Sequence, residues 1–310
     1  MTKKLQSLSK EHIGTLLLFL VAIIWGSGFI AVQVALDAQM SPSLLMMMRF
    51  LISTLVMGAI FWKRILANFR KKDLIKCSVT GVFLFLGFYV QTVGLKYTTL
   101  ANNAFLTATN VVMVPLIWWA ISKKRPENRI FISSLLCLVG IGLLSYKLGQ
   151  GIAFSVGDLL TLACALFFAC QIVATSKLAT TIDSAVFVFT QFAVCALLSI
   201  VVFITTDGDL TPLTNANGSI AVFYSALFAT CACYFMQSVA QKYVSASKAA
   251  IIMGCEALFG TMFSVILGYD NITATMVLGG TVIMIALVLT EWNPKAKNMS
   301  SPTDEEKANI

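Results

Sequence analysis

Charge is what this 310-residue chain has least of. Asp, Glu, Lys and Arg make up 12% of it, about half the share found in soluble domains. It holds a single histidine, His12, beside Glu11 where the first apolar run begins, and that residue reads as a solvated one. Ligand clusters of the zinc-binding kind are missing, so no metal site is expected. A Gly-x-Ser-x-Gly elbow, a His-Glu-x-x-His helix and a P-loop are missing too. Enzyme chemistry finds no support in the sequence, no cofactor is expected, and any uphill work must draw on an ion gradient. The cysteines Cys77, Cys137, Cys164, Cys170, Cys195, Cys231, Cys233 and Cys255 avoid the polar outer loops. They read as small packing residues and not as a disulfide framework.

What the chain does have is apolar length. Hydrophobic residues reach 58%, gathered into stretches of about 20 residues, the length that crosses a bilayer as a helix. Ten helices are expected, over 13–34, 43–62, 74–95, 100–121, 130–147, 157–176, 184–204, 219–241, 247–268 and 274–292. The fold class is thus an all-α integral membrane protein. Residues 1–12 form a cytoplasmic N-terminal segment, 13–147 and 148–292 two five-helix repeats, and 293–310 a polar cytoplasmic tail expected to be disordered. Lys3, Lys4 and Lys10 before an apolar run suggest a signal peptide, but the run continues to about Val34 without a clear cleavage site. It reads as an uncleaved first helix.

The formal charge of +8 could point to nucleic acid, but its placement points to the membrane. All but Arg49, Lys96 and Lys147 of the 22 Lys and Arg fall on one side of the expected topology. That is the positive-inside pattern. The loops 63–76 and 122–129 are basic, whereas 35–42 and 205–218 hold Asp37, Asp207 and Asp209 and no Lys or Arg. Both termini are therefore expected in the cytoplasm. Trp62, Trp118, Trp119 and Trp292 fall near the cytoplasmic helix ends, where indoles favour the interface.

The chain also repeats itself. Gln91-Thr92-Val93-Gly94-Leu95-Lys96-Tyr97 and Gln237-Ser238-Val239-Ala240-Gln241-Lys242-Tyr243 share Gln, Lys and Tyr at an offset of 146 residues. With an odd number of helices per half, the second half enters from the opposite side, giving an inverted repeat. In transporters such repeats put a shared site near the midplane.

Several segments resemble the EamA-like branch of the drug/metabolite transporter superfamily. They are Ile24-Trp25-Gly26-Ser27-Gly28-Phe29, Arg49-Phe50, Gly94-Leu95-Lys96-Tyr97-Thr98, Val114-Pro115-Leu116, Gly157-Asp158-Leu159-Leu160 and Glu256. The resemblance spans nearly the whole chain. It departs at Ala257, where the family usually has Pro, and at Gly268-Tyr269-Asp270, where it often has Gly-Glu. It implies a ten-helix secondary transporter of small metabolites, with amino acids first.

Glu256 is the sharpest site residue, the only acid well inside an expected span. A central carboxylate costs about 2.5–3.5 kcal/mol on insertion scales, which a bound cation or proton would justify; a structural salt bridge is the alternative. Asn110 matches it at the 146 offset and shares a helix face with Asn103 and Thr107. Pro115 follows a turn later and frees a backbone carbonyl. Gly254 and Gly260 bracket Glu256, as hinge or as packing positions. Arg49 is the only base well inside a span; it could snorkel outward, pair with Glu256 or capture a substrate carboxylate. Gln91, Gln171, Gln191 and Gln237 supply amides, and Trp25, Phe29 and Phe168 supply rings that could stack on a substrate or simply pack.

The reading is a proton-coupled, alternating-access exporter of amino acids or related metabolites in the cytoplasmic membrane. Its partners are a small-molecule substrate, protons and the lipid bilayer, with helices five and ten outside as a surface for a homodimer. A transporter of organic cations or drugs is the alternative, and a non-transporting membrane enzyme a third.

Overall fold

In a computed structural model of the chain, residues 2–98, 100–145, 155–206, 208–268 and 271–291 are described. Lys147, Asp207, Asp270, Trp292 and the polar tail lie outside them. The elements are α1 (Thr2–Asp37), α2 (Pro42–Asn68), α3 (Lys71–Leu95), α4 (Leu100–Thr107), α5 (Asn110–Ser122), α6 (Asn128–Ser145), α7 (Val156–Leu178) and α8 (Ser184–Thr206). A 3₁₀ turn (Thr211–Thr214) leads to α9 (Ala216–Tyr224), a π-helical segment (Ser225–Ala232), α10 (Cys233–Ala240), α11 (Ala246–Met253), α12 (Glu256–Ile266) and α13 (Ala274–Glu291). No strand occurs among the described residues.

Local chemistry starts these helices where the sequence turns apolar. Ser41 accepts from the Leu44 N–H at 3.1 Å, just ahead of Pro42 at the first helical position. Ser155 and Asp158 cap α7 reciprocally, at 3.1 and 2.8 Å. Eight stretches are long and apolar enough to cross a membrane, and two more, Asn128–Leu144 and Ala274–Thr290, are apolar but shorter.

Three helices expected to be continuous are interrupted. The expected 100–121 helix is split between α4 and α5 at Ala108–Thr109, and the expected 247–268 helix between α11 and α12 at Gly254–Cys255. At each break the backbone tightens to i→i−3 bonding, with Val111 N–H on Ala108 O at 3.0 Å and Cys255 N–H on Ile252 O at 3.2 Å. The expected 219–241 helix contains the π segment instead of a uniform α-helix.

The helices pair across the two halves. α2 packs on α8, α3 on α7, α6 on α13, and α1 on α9, α10 and the π segment. α4 and α5 lie against α7, as α11 and α12 lie against α1. Exchanging the halves leaves this set of pairings unchanged. The α6–α13 contact is close enough to require glycine. A Cβ on Gly140 would stand 2.8 Å from Gly279 O, and one on Gly279 2.6 Å from Gly140 O.

Two apolar cores result. One gathers Phe50, Leu84, Phe187 and Phe192 from α2, α3 and α8. The other gathers Leu18, Val111, Ile141, Ile251 and Ile252 from α1, α5, α6 and α11. Trp25 packs against both, which puts it at the seam where the cavity lies.

Candidate functional site: a cavity at two helix breaks

The cavity holds about 750 Å³ of empty space, counted with the part open to the outside. Ten of the residues singled out in the sequence line it: Trp25, Phe29, Arg49, Gln91, Asn103, Thr107, Asn110, Phe168, Gln171 and Glu256.

Glu256 and Asn110 owe their position to the two breaks. Each is the first residue of the half-helix that follows one, Asn110 opening α5 and Glu256 opening α12. Neither break carries a side-chain cap. Among the described residues, no hydrogen bond or ion pair engages the Glu256 carboxylate or the Asn110 amide. Glu256 and Arg49 are not ion-paired with each other, although both face the same space.

Arg49 is 4% exposed and points inward, so it does not snorkel. Its Nε donates to Thr230 Oγ1, and its guanidinium lies 4.2 Å from the Phe88 ring centroid. Thr230 sits on the π segment, whose wider turns leave carbonyls for neighbours to use. Trp25 Nε1 donates to Ala229 O at 2.8 Å, and Ser53 Oγ to Ala226 O at 2.8 Å. Three side chains from α1 and α2 are thus fastened to that one segment.

The polar wall is internally bonded. Gln91 Nε2 donates to Thr107 Oγ1 at 3.0 Å, and Asn103 Nδ2 donates to Gln91 O at 3.1 Å and Thr161 Oγ1 at 2.9 Å. Gln171 Nε2 donates to Thr175 Oγ1 at 3.0 Å and Gln191 Oε1 at 3.3 Å. Gln191 and Gln237 are not on the cavity wall; they stand behind Gln171, which accepts from Gln237 Nε2 at 3.4 Å.

Gly254 and Gly260 both stand at close helix contacts. A Cβ on Gly254 would meet Val111 Cγ2 at 2.8 Å, tying one break to the other half-helix pair. Gly260 faces Gly26, where a Cβ would stand 2.7 Å from Gly260 N and 2.9 Å from Glu256 O. Pro115 is buried inside α5, one turn below Val111, whose carbonyl it leaves without a helical donor.

Two aromatic lining residues escaped the sequence reading, Phe88 and Tyr234. Their centroids are 6.0 Å apart, with Trp25 5.3 Å from Tyr234 and Phe168 5.0 Å from Phe88. A signal for them was present. They lie 146 residues apart, each three positions before the repeated Gln91 or Gln237.

Comparison with known proteins agrees with this architecture. The model of the EamA-like transporter family matches twice, over residues 12–146 and 155–292. An uncharacterized transporter of Archaeoglobus fulgidus is 35% identical over 274 residues, covering 88% of this chain and 83% of the relative. A second from the same organism is 28% identical over 291 residues, covering 91% and 97%. A solved crystal structure superposes with a TM-score of 0.78 at 17% identity, over 93% of this chain and 99% of that one, and so shares the fold. With most of its length taken up by two matches to one family, this multi-pass membrane protein belongs to the EamA-like transporter family.

Proposed function

We propose that the chain is a proton-coupled secondary transporter of small zwitterionic metabolites, amino acids first, working in the export direction across the cytoplasmic membrane. The observation that carries this reading is a pair of opposite charges, Arg49 and Glu256, facing one cavity without bonding each other. A substrate with a carboxylate and an amine would meet both. Arg49 is fixed by Thr230 and Phe88 and suits a permanent anion anchor. Glu256 has no fixed partner among the described residues and suits a group that exchanges a proton for the substrate amine.

The cycle rests on ten crossings arranged as two inverted five-helix repeats, both termini inside. The double family match, the pairings that survive exchange of the halves, and the breaks 146 residues apart support that arrangement. Broken helices flanking a midplane site are a recurring device of inverted-repeat transporters. Rocking of the halves would expose the cavity to each side in turn. Helices α6 and α13 pair at the periphery and would offer the surface for a homodimer.

An organic-cation transporter is the second reading, favoured by the rings of Trp25, Phe88 and Tyr234 around the cavity. An inward Arg49 counts against it, since a fixed cation repels such a substrate. Thermal stabilisation of the purified protein separates the two. Amino acids should raise the melting temperature, and the shift should vanish in Arg49→Gln. Stabilisation by quaternary amines alone, indifferent to Arg49→Gln, would overturn the zwitterion reading.

A further inference from the structure

A second cleft, about 1050 Å³ with its open mouth included, lies at the other end of α5. Its walls are the 122–129 loop, the start of α11, and Trp118, Tyr243 and Thr290. Four cations line it, Lys124, Arg125, Arg129 and Lys248, against two carboxylates, Glu11 and Glu127. The carboxylates are committed. Lys248 Nζ meets Glu11 at 2.9 Å, and Arg129 Nε meets Glu127 at 2.5 Å. Lys124 and Arg125 have no carboxylate partner among the described residues.

We propose that this cleft binds the phosphate headgroup of an anionic phospholipid. Arg125 is already oriented for an anion. Its Nη2 donates to Asn128 Oδ1 at 3.1 Å, and its guanidinium lies 5.8 Å from the Trp119 ring centroid. That leaves part of a planar donor fork available for phosphate oxygens. Lys124 adds a second charge beside it. The surroundings favour a lipid over a soluble phosphate. Trp118 and Tyr243 are the ring types that settle at the headgroup level. Ile121 and Ile132, on the helices flanking the loop, are 48% and 53% exposed and give an acyl chain an apolar surface to run along. Basic pockets between helix ends are a known form of headgroup site. The proposal does not depend on what the central cavity carries.

The test uses the full chain in nanodiscs of phosphatidylcholine with increasing phosphatidylglycerol, read by native mass spectrometry and by melting temperature. The wild type should retain phosphatidylglycerol selectively and melt higher with it. The Lys124→Gln/Arg125→Gln double variant should lose affinity about tenfold or more. The Lys71→Gln/Lys72→Gln double variant, with the same charge change at the exposed start of α3, should stay within about twofold of wild type. Equal losses in the two variants would mean diffuse attraction to an anionic surface and would overturn the site. So would a wild type without preference for phosphatidylglycerol. Inorganic phosphate that competes the lipid off in the low millimolar range, with the same dependence on Lys124 and Arg125, would overturn the lipid assignment.

Discussion

The break before Asn110 and the break before Glu256 are the same device built twice. Both interrupt a helix by a tightened turn, both lie on the cavity, and they stand 146 residues apart. What differs is the side chain that each presents. The first half offers a neutral amide and the second a carboxylate. The two breaks are thus alike in backbone and unlike in the side chain each turns to the cavity.

The sharpest way to break the comparison is to make the halves alike. Glu256→Gln puts an amide at both breaks. Uphill transport in proteoliposomes should fall by more than about tenfold, substrate counterflow should persist, and the pH dependence of flux should flatten. Unchanged pH dependence would remove Glu256 from the coupling role. Glu256→Gln combined with Asn110→Glu moves the acid to the other half. If the breaks are equivalent, part of the proton dependence should return; a double variant as flat as the single one would show that the two breaks are not interchangeable.

Arg49 tests the second asymmetry, since the 146 offset places Cys195 opposite it. Arg49→Lys keeps the charge but loses the planar fork that bridges Thr230 and Phe88. Apparent substrate affinity should weaken by roughly tenfold, about 1.4 kcal/mol. Gly26→Ala should act on stability more than on affinity. The added methyl would meet Gly260 N at 2.7 Å and Glu256 O at 2.9 Å, so a loss of about 1–3 kcal/mol is expected, read as a lower melting temperature. Gln237→Leu should have the smallest effect. Its amide donates a long bond to Gln171, and its Oε1 is buried without a partner among the described residues. The change removes that unpartnered oxygen but leaves Gln171 Oε1 without its donor, so a loss of about 1 kcal/mol is expected, read as a slightly lower melting temperature.

The apolar runs made the helices legible, because bilayer-length stretches leave few other solutions. Glu256 and Asn110 were legible for a related reason: polar groups are costly in such stretches and stand out against their neighbours. The breaks beside them were not. Ala108-Thr109 has no Gly or Pro to announce an interruption, and Gly254 reads equally well as a packing residue. The inward turn of Arg49 could not be read from its place in α2, since Thr230, which holds it, lies 181 residues away. Phe88 and Tyr234 were hidden by company, two rings in a chain rich in them. Only the repeat offset set them apart.

The π segment in Ser225–Ala232 has a consequence for how this protein tolerates insertions and deletions. A π turn arises when a helix takes in an extra residue without breaking, and everything below it is rotated relative to a regular helix. Losing a single residue there would restore regular winding. It would also turn Tyr234 and Gln237 to new faces and detach Trp25, Ser53 and Arg49 from their acceptors at one stroke. The segment acts as a spacer whose residue count sets the reading frame between the two cores. Related chains that differ in length at this point should differ in which side chains reach the cavity, even where every other helix aligns.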